Sequence, residues 1–187
     1  SYLIRENTPC FIIAEAGVNH NGSLSKAFKL VDEAKKVGAN SIKFQTFSAE
    51  NLVLKNSPKA NYQLKTTKKS ENQFSMLKNL ELNHEEQYKL FNYCKKKKII
   101  FLSTPYNLED VEFLIKLKTP AFKLASMHMA EPYFIKEVAK EGKPLILSTG
   151  MTNLVEIKKT FQEIKKTNNR NIALLQCTTD YPAASTE

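Results

Sequence analysis

The run Cys10-Phe11-Ile12-Ile13-Ala14-Glu15-Ala16 is followed by a helical stretch that opens at Ser23 and stops at Gly38, and then by Ser41-Ile42-Lys43-Phe44-Gln45. These three pieces decide the architecture. The two flanking runs are short and nearly continuous in apolar residues, as strands covered on both faces are. Between them Leu24, Ala27, Phe28, Val31, Ala34 and Val37 recur at the helical period, with Ser23 at the N-cap and Gly38 just past the end. Two such strands joined by a helical crossover run parallel.

The same alternation continues along the chain. Further strands are predicted at Ile99–Ser103, Ala121–Leu124, Leu145–Ser148 and Ile172–Gln176, and helices at His84–Lys97, Leu108–Leu117, Pro132–Lys140 and Leu154–Thr167. Asn83 with Glu86 and Asn153 with Glu156 are cap-like pairs, Asn107 can cap the helix that follows it, and Pro132 suits a first helical position. Six strands with helical crossovers imply a parallel α/β fold. Either a doubly wound open sheet or a closed eight-stranded barrel would satisfy that pattern. No glycine-rich phosphate loop of the dinucleotide or Walker type occurs, which weakens the first. Polar residues stand at the C-terminal end of nearly every strand, where a barrel builds its active site. The expectation is a TIM (β/α)8 barrel with about six of its eight units in residues 1–187, one incomplete domain. The long connection Thr46–Asn72, rich in Lys, Ser, Thr and Asn, reads as a lid over the barrel mouth.

Composition narrows the class. The chain is 42% hydrophobic and 25% charged, the balance of an ordinary soluble domain rather than a disordered tail. The longest apolar runs are too short to span a membrane, and Ser1–Cys10 lacks the pattern of a secretory signal. Cys10, Cys94 and Cys177 are far apart and show no zinc-like spacing, which favours a reduced, cytoplasmic protein. Lysine and arginine number 28 against 19 acidic residues, giving +9. The lysines are scattered along helical faces, and the only tight run, Lys95–Lys98, closes a helix, where cations favour the dipole. This is a solvated surface rather than a nucleic-acid footprint, and its field helps collect a small anion.

Lys43 and Lys123 each lie inside an otherwise apolar strand, where an unpaired ammonium is costly. Two of them pointing into one barrel repel unless an anion neutralises both. A carboxylate or phosphate ligand does so, with Thr104, Ser126 and Ser148 as hydroxyl donors. The alternative is that each lysine faces out between helices and pairs with a carboxylate. Glu15 ends a strand and must be paired or protonated; it can act as general base, bind sugar hydroxyls or simply partner Lys43. His20 and His128 stand at strand ends, where a functional and a structural role weigh equally. His84 opens a helix, and Cys177 has no evident base beside it.

Six motifs in order give a specific resemblance: Ile13-Ala14-Glu15-Ala16-Gly17-Val18-Asn19-His20-Asn21-Gly22, Ile42-Lys43-Phe44-Gln45-Thr46, Phe101-Leu102-Ser103-Thr104-Pro105, Phe122-Lys123-Leu124-Ala125-Ser126, Leu147-Ser148-Thr149-Gly150-Met151 and Cys177-Thr178-Thr179-Asp180-Tyr181-Pro182. The chain resembles the sialic acid synthase family, the phosphoenolpyruvate-dependent N-acetylneuraminate, legionaminate and pseudaminate synthases. The resemblance implies a transferase that condenses phosphoenolpyruvate with an N-acetylated amino sugar, N-acetylmannosamine or a 2,4-diacetamido-trideoxyhexose, to a nonulosonic acid plus phosphate. It implies that Lys43, Thr104, Lys123, Ser126, Ser148 and Thr179 meet phosphoenolpyruvate, and that Glu15, Gln45, His128 and Tyr181 meet the sugar. Glu15, Lys43 and Lys123 would be the catalytic set. It further implies a divalent metal, Mn2+, held by histidines on the last two barrel strands, so that no ligand falls within this stretch. Those strands and a small antifreeze-protein-like domain are expected beyond it, with a homodimer at full length. Pro58-Lys59-Ala60-Asn61-Tyr62-Gln63 is similar to the legionaminate-type branch. Met127-His128 stands where the family commonly has Gly-Glu, and Thr179 where it often has Asn or Ser, departures that bear on substrate identity. The rival readings are a Schiff-base aldolase on a barrel, a sugar-phosphate relative, and a non-catalytic sugar-binding or assembly module.

Overall fold

A computed structural model describes residues 4–59, 64 and 71–179, and in it strands and helices alternate. The first half holds β1 (Ile13–Gly17), α1 (Leu24–Lys36), β2 (Ser41–Thr46), α2 (Ala49–Leu52), α3 (Gln73–Lys78), α4 (His84–Lys97) and β3 (Ile100–Pro105). The second holds α5 (Leu108–Lys116), β4 (Phe122–Leu124), a 3-10 turn (Ser126–Ala130), α6 (Pro132–Lys140), β5 (Leu145–Ser148), α7 (Leu154–Lys165) and β6 (Ile172–Leu175). The helix starts follow from their caps. Asn83 with Glu86, Asn107 with Asp110 and Asn153 with Glu156 each form a reciprocal capping box, satisfying N–H groups that the first turn leaves without a partner.

All strand pairs are parallel, in the orders β1-β2-β3 and β4-β5-β6. β3 lies beside β4 without ladder hydrogen bonds, so two hydrogen-bonded triplets adjoin along a seam. The strand order follows chain order and never reverses. A doubly wound sheet would switch direction part-way; a barrel wall does not.

Register separates two faces. Ile42, Phe44, Phe101, Phe122, Leu124, Leu145 and Leu147 pack into one cluster with Val31 of α1, Leu90 of α4, Leu114 of α5, Ile135 of α6 and Ile164 of α7. Each such side chain, fully buried, stabilises the fold by about 1.5–3 kcal/mol. Alternating with them on the strands are Lys43, Leu102, Thr104, Lys123, Ile146 and Ser148. The apolar core is therefore the layer between strands and helices, and the opposite, inner face carries the polar set toward the strands' C-terminal ends.

The short elements escape sequence patterning. β1 begins at Ile13 rather than Cys10, and α2, α3 and the 3-10 turn, of four to six residues, are too brief to show a period. The described ends of the long connection form a packed layer: Phe47, Ala49, Met76 and Leu82 are buried, and Gln73 N–H donates to Ser57 O at 3.2 Å. Its centre, including Ala60–Gln63, lies outside the described residues. Gly22 locks this layer to the β1–α1 turn. Its φ is +69°, and a Cβ there would sit 2.3 Å from Asn79 O. Gly22→Ala combines a left-handed backbone with a clash against a carbonyl, and should cost on the order of 2–4 kcal/mol. Thermal unfolding checks this, and an unchanged Tm would mean that the 79–82 segment does not press on the turn.

Candidate active site

On the β1–β2–β3 side the site is built around Lys43. Glu15 stands opposite it in register, and its carboxylate oxygens lie 2.8 and 2.9 Å from Lys43 Nζ, which also donates to Thr104 Oγ1 at 3.4 Å. The Lys43 side chain is 8% exposed and that of Glu15 55%, so a covered ammonium sits beneath a wet carboxylate. Glu15 is thus paired without being buried. The β1 register slips between Glu15 and Gly17, where φ is +50°. A Cβ at Gly17 would come within 3.3 Å of Glu15 Oε1 and 3.9 Å of Gln45 Nε2, so the glycine leaves the carboxylate room to lie over Lys43 and brings Gln45 alongside.

On the other side, Lys123 Nζ donates to Leu124 O at 3.0 Å and to Ser148 Oγ. Ser126 Oγ accepts the Gly150 N–H at 3.0 Å. Gly150 has no side chain because the exit of β6 crosses it: a Cβ would lie 2.6 Å from Cys177 O and 2.9 Å from Thr179 Cγ2. Thr149 fastens the same crossing, donating from N and Oγ1 to Leu175 O at 3.1 and 3.0 Å.

The two halves sense one another. Lys123 is pushed down to about 8, chiefly by burial and then by the charge of Lys43, with Cys177 and Glu15 opposing. Both ammonium groups therefore share the inner face, and neither faces out between helices. Among the described residues Glu15 is the one carboxylate in ion-pairing distance of either, so the site holds a net positive charge. The hydroxyls are polarised to match. Thr104 and Ser148 accept from lysines and Ser126 from a backbone N–H, which leaves each O–H proton to point elsewhere. A pair of cations with three such donors suits a polyanion of phosphate and carboxylate type.

The histidines are set apart from this opening. His20 is buried and its Nδ1 accepts the Gly22 N–H at 3.1 Å, while His84 stacks on Phe113 with ring centroids 3.9 Å apart. His128, expected to meet the sugar, has no exposed surface and lies between Tyr106 and Phe134, with centroid separations of 5.6 and 4.7 Å. Burial, reinforced by the Lys123 charge, pushes it down to about 4, so it is neutral at neutral pH. Thr179 is exposed beside Gly150, and Tyr181 lies outside the described residues. Among the described residues no three His, Cys, Asp or Glu side chains converge to hold a metal. A cavity of about 670 Å³ opens at the other end of the strands, lined mostly by apolar residues such as Phe11, Ile100, Leu102 and Ile146, with Arg170 and Asn171 at its wall. Sequence reasoning passed over the structural parts played by Gly17 and Gly150; Gly150 has an ordinary φ, so only the crossing strand reveals why it lacks a side chain.

Residues 30–187 match the NeuB family. The chain belongs to that family. It is 46% identical over 178 residues to the N,N'-diacetyllegionaminic acid synthase of Campylobacter jejuni, covering 94% of this chain and 53% of that protein. It is 35% identical over 176 residues to the human N-acetylneuraminate-9-phosphate synthase, covering 93% and 48%. A crystal structure of N-acetylneuraminic acid synthetase from Leptospira borgpetersenii, in complex with citrate, superposes with a TM-score of 0.83 at 28% identity, covering 98% of this chain and 61% of that one. The chain thus spans about half the length of the two synthases it matches by sequence.

Because Lys123 is held below its ordinary 10.5, folding disfavours its ammonium form. That cost is full below about 8 and disappears as pH rises past 10.5. Lys123→Met should therefore stabilise the anion-free protein at pH 7 by about 1–3 kcal/mol. Added phosphate should raise the Tm of the parent and not of the variant, by differential scanning calorimetry. A variant less stable than its parent without anions would contradict the burial argument.

Proposed function

We propose that this chain contributes the anion-binding half of a synthase that condenses phosphoenolpyruvate with an N-acetylated amino sugar to a nonulosonic acid and phosphate. The observation that carries the reading is the inner-face pair Lys43 and Lys123, balanced by the one carboxylate of Glu15. The named activities of the NeuB-family relatives support it. The fuller form of the proposal is a (β/α)8 barrel with about six units in this stretch, a divalent metal bound by further strands, an antifreeze-like domain after them and a homodimer at full length. Free Cys10, Cys94 and Cys177 support a reducing, cytoplasmic setting, and no helix among the described residues is long and apolar enough to cross a membrane.

In this reading Lys43 and Lys123 hold the phosphate and carboxylate of phosphoenolpyruvate, with Thr104, Ser126, Ser148 and Thr179 donating to their oxygens. C3 of phosphoenolpyruvate attacks the aldehyde carbon of the open-chain sugar, forming the new C–C bond while the aldehyde oxygen takes a proton. Water then adds at C2, passing one proton to Glu15, and the bond from C2 to the phosphate oxygen breaks as the new hydroxyl becomes the C2 ketone, its proton leaving with the phosphate. The two ammonium groups are preorganised where negative charge gathers, an electrostatic contribution of the kind that dominates such steps. Gln45 and Tyr181 orient the sugar.

A second reading has one observation in its favour. An amine pushed down to about 8, like that of Lys123, suits Schiff-base chemistry. Borohydride trapping with pyruvate separates the two, since the condensing synthase forms no covalent adduct.

In the protein at its full natural length, Lys43→Met or Lys123→Met should lower phosphate release from phosphoenolpyruvate by at least about a thousandfold. Near-normal turnover in either variant, across a panel of N-acetylated hexosamines, would remove the lysine pair from the mechanism. For the parent, kcat/KM for phosphoenolpyruvate should fall as pH rises through about 8, because the free protein then loses the Lys123 ammonium. A flat profile from pH 7 to 9.5 would contradict that assignment.

A further inference from the structure

One peptide group joins the buried histidine to the site. Its carbonyl, Leu124 O, accepts from Lys123 Nζ at 3.0 Å. Its amide, Ala125 N–H, donates to His128 Nδ1 at 3.2 Å. A peptide is a rigid plane in which N–H and C=O point in opposite directions, so fixing one end fixes the other. The His128 backbone N–H also donates to Ala125 O at 3.1 Å, gripping the same residue from its other side. Ala125 stands between Lys123-Leu124 and Ser126, whose Oγ accepts the Gly150 N–H.

The ring pays a penalty for being there. Accepting at Nδ1 places the imidazole proton on Nε2, and Nε2 is buried without a hydrogen-bond partner among the described residues. A phenyl ring would fill the slot between Tyr106 and Phe134 without that orphaned donor. What only the imidazole adds is the acceptor at Nδ1.

We infer that His128 is a positioning residue for phosphoenolpyruvate: through the Leu124–Ala125 peptide it aims the carbonyl that holds Lys123 Nζ toward the anion. The inference rests on the anion-site reading above and moves His128 from the sugar end to the anion end. In a chain of hydrogen bonds each member also polarises the next, so a neutral imidazole strengthens the carbonyl as an acceptor.

Two variants of the full-length protein separate positioning from packing. His128→Phe keeps the ring and removes the acceptor. His128→Asn keeps an acceptor oxygen close to the Nδ1 position and removes most of the ring. The probes are phosphoenolpyruvate and inorganic phosphate, titrated by calorimetry, with Tm and both KM values recorded. His128→Phe should keep the parent's Tm to within a few degrees while weakening both anions about tenfold, with the KM of the amino sugar little changed. His128→Asn should lose Tm through the cavity between Tyr106 and Phe134, yet bind both anions within about threefold of the parent. Parent-like anion affinity in His128→Phe overturns the inference, as do affinities that fall in step with Tm in both variants. A change confined to the KM of the amino sugar overturns it too, in favour of a sugar contact. The anion titrations read Lys123 whether or not turnover occurs. A parent that binds both anions but releases no phosphate with any amino sugar would fail the proposed function alone.

Discussion

Two like charges held close together on a covered face set the terms for this structure. Burial, and after it the charge of Lys43, pushes Lys123 down to about 8. Glu15 neutralises Lys43, while Lys123 donates to a hydroxyl and a carbonyl and has no carboxylate beside it among the described residues. Much of the local architecture surrounds that arrangement: the glycine bulge that lays Glu15 over Lys43, and the glycine at 150 that leaves room for Cys177 and Thr179 to cross it beyond β6.

The layering of the fold makes such a site possible. Because strand side chains alternate, the apolar set that binds the helices and the polar set that faces the ligand are drawn from the same strands without competing for space. Phe44, Phe122 and Leu124 secure the outer layer with their full burial, and this anchors the backbone from which Lys43 and Lys123 project. The stability to hold two buried cations comes from the side of the sheet that never meets the ligand.

Much of this was legible in the sequence where a rule of chemistry acts locally. The caps at Asn83, Asn107 and Asn153 fix helix starts, and His84–Lys97 and Pro132–Lys140 are read to the residue. The two lysines announce themselves because charge in an apolar strand is expensive. What stayed hidden depends on distant parts of the chain. Glu15 reads as buried and is half exposed, because its carboxylate lies over Lys43 at the bulge before Gly17. His128, for which a functional and a structural role weigh equally in the sequence, is sealed in the core, because a 3-10 turn too short to show a period swings it between Tyr106 and Phe134. The motifs gave the family, and the six strands among the described residues and their parallel order fit it.

The seam between β3 and β4 has its own consequence. No ladder hydrogen bonds cross it, yet Lys43 belongs to one triplet of strands and Lys123 to the other. The spacing between the two charges is therefore set by side chains such as Tyr106 against His128, which meet across the joint, and by whatever anion the lysines share. The wall is thus two jaws, each held by its own ladder, and a change in the distance between the two lysines need break no strand pair. A ligand that bridges both jaws stiffens the joint from within, so part of its binding free energy goes into ordering the wall itself.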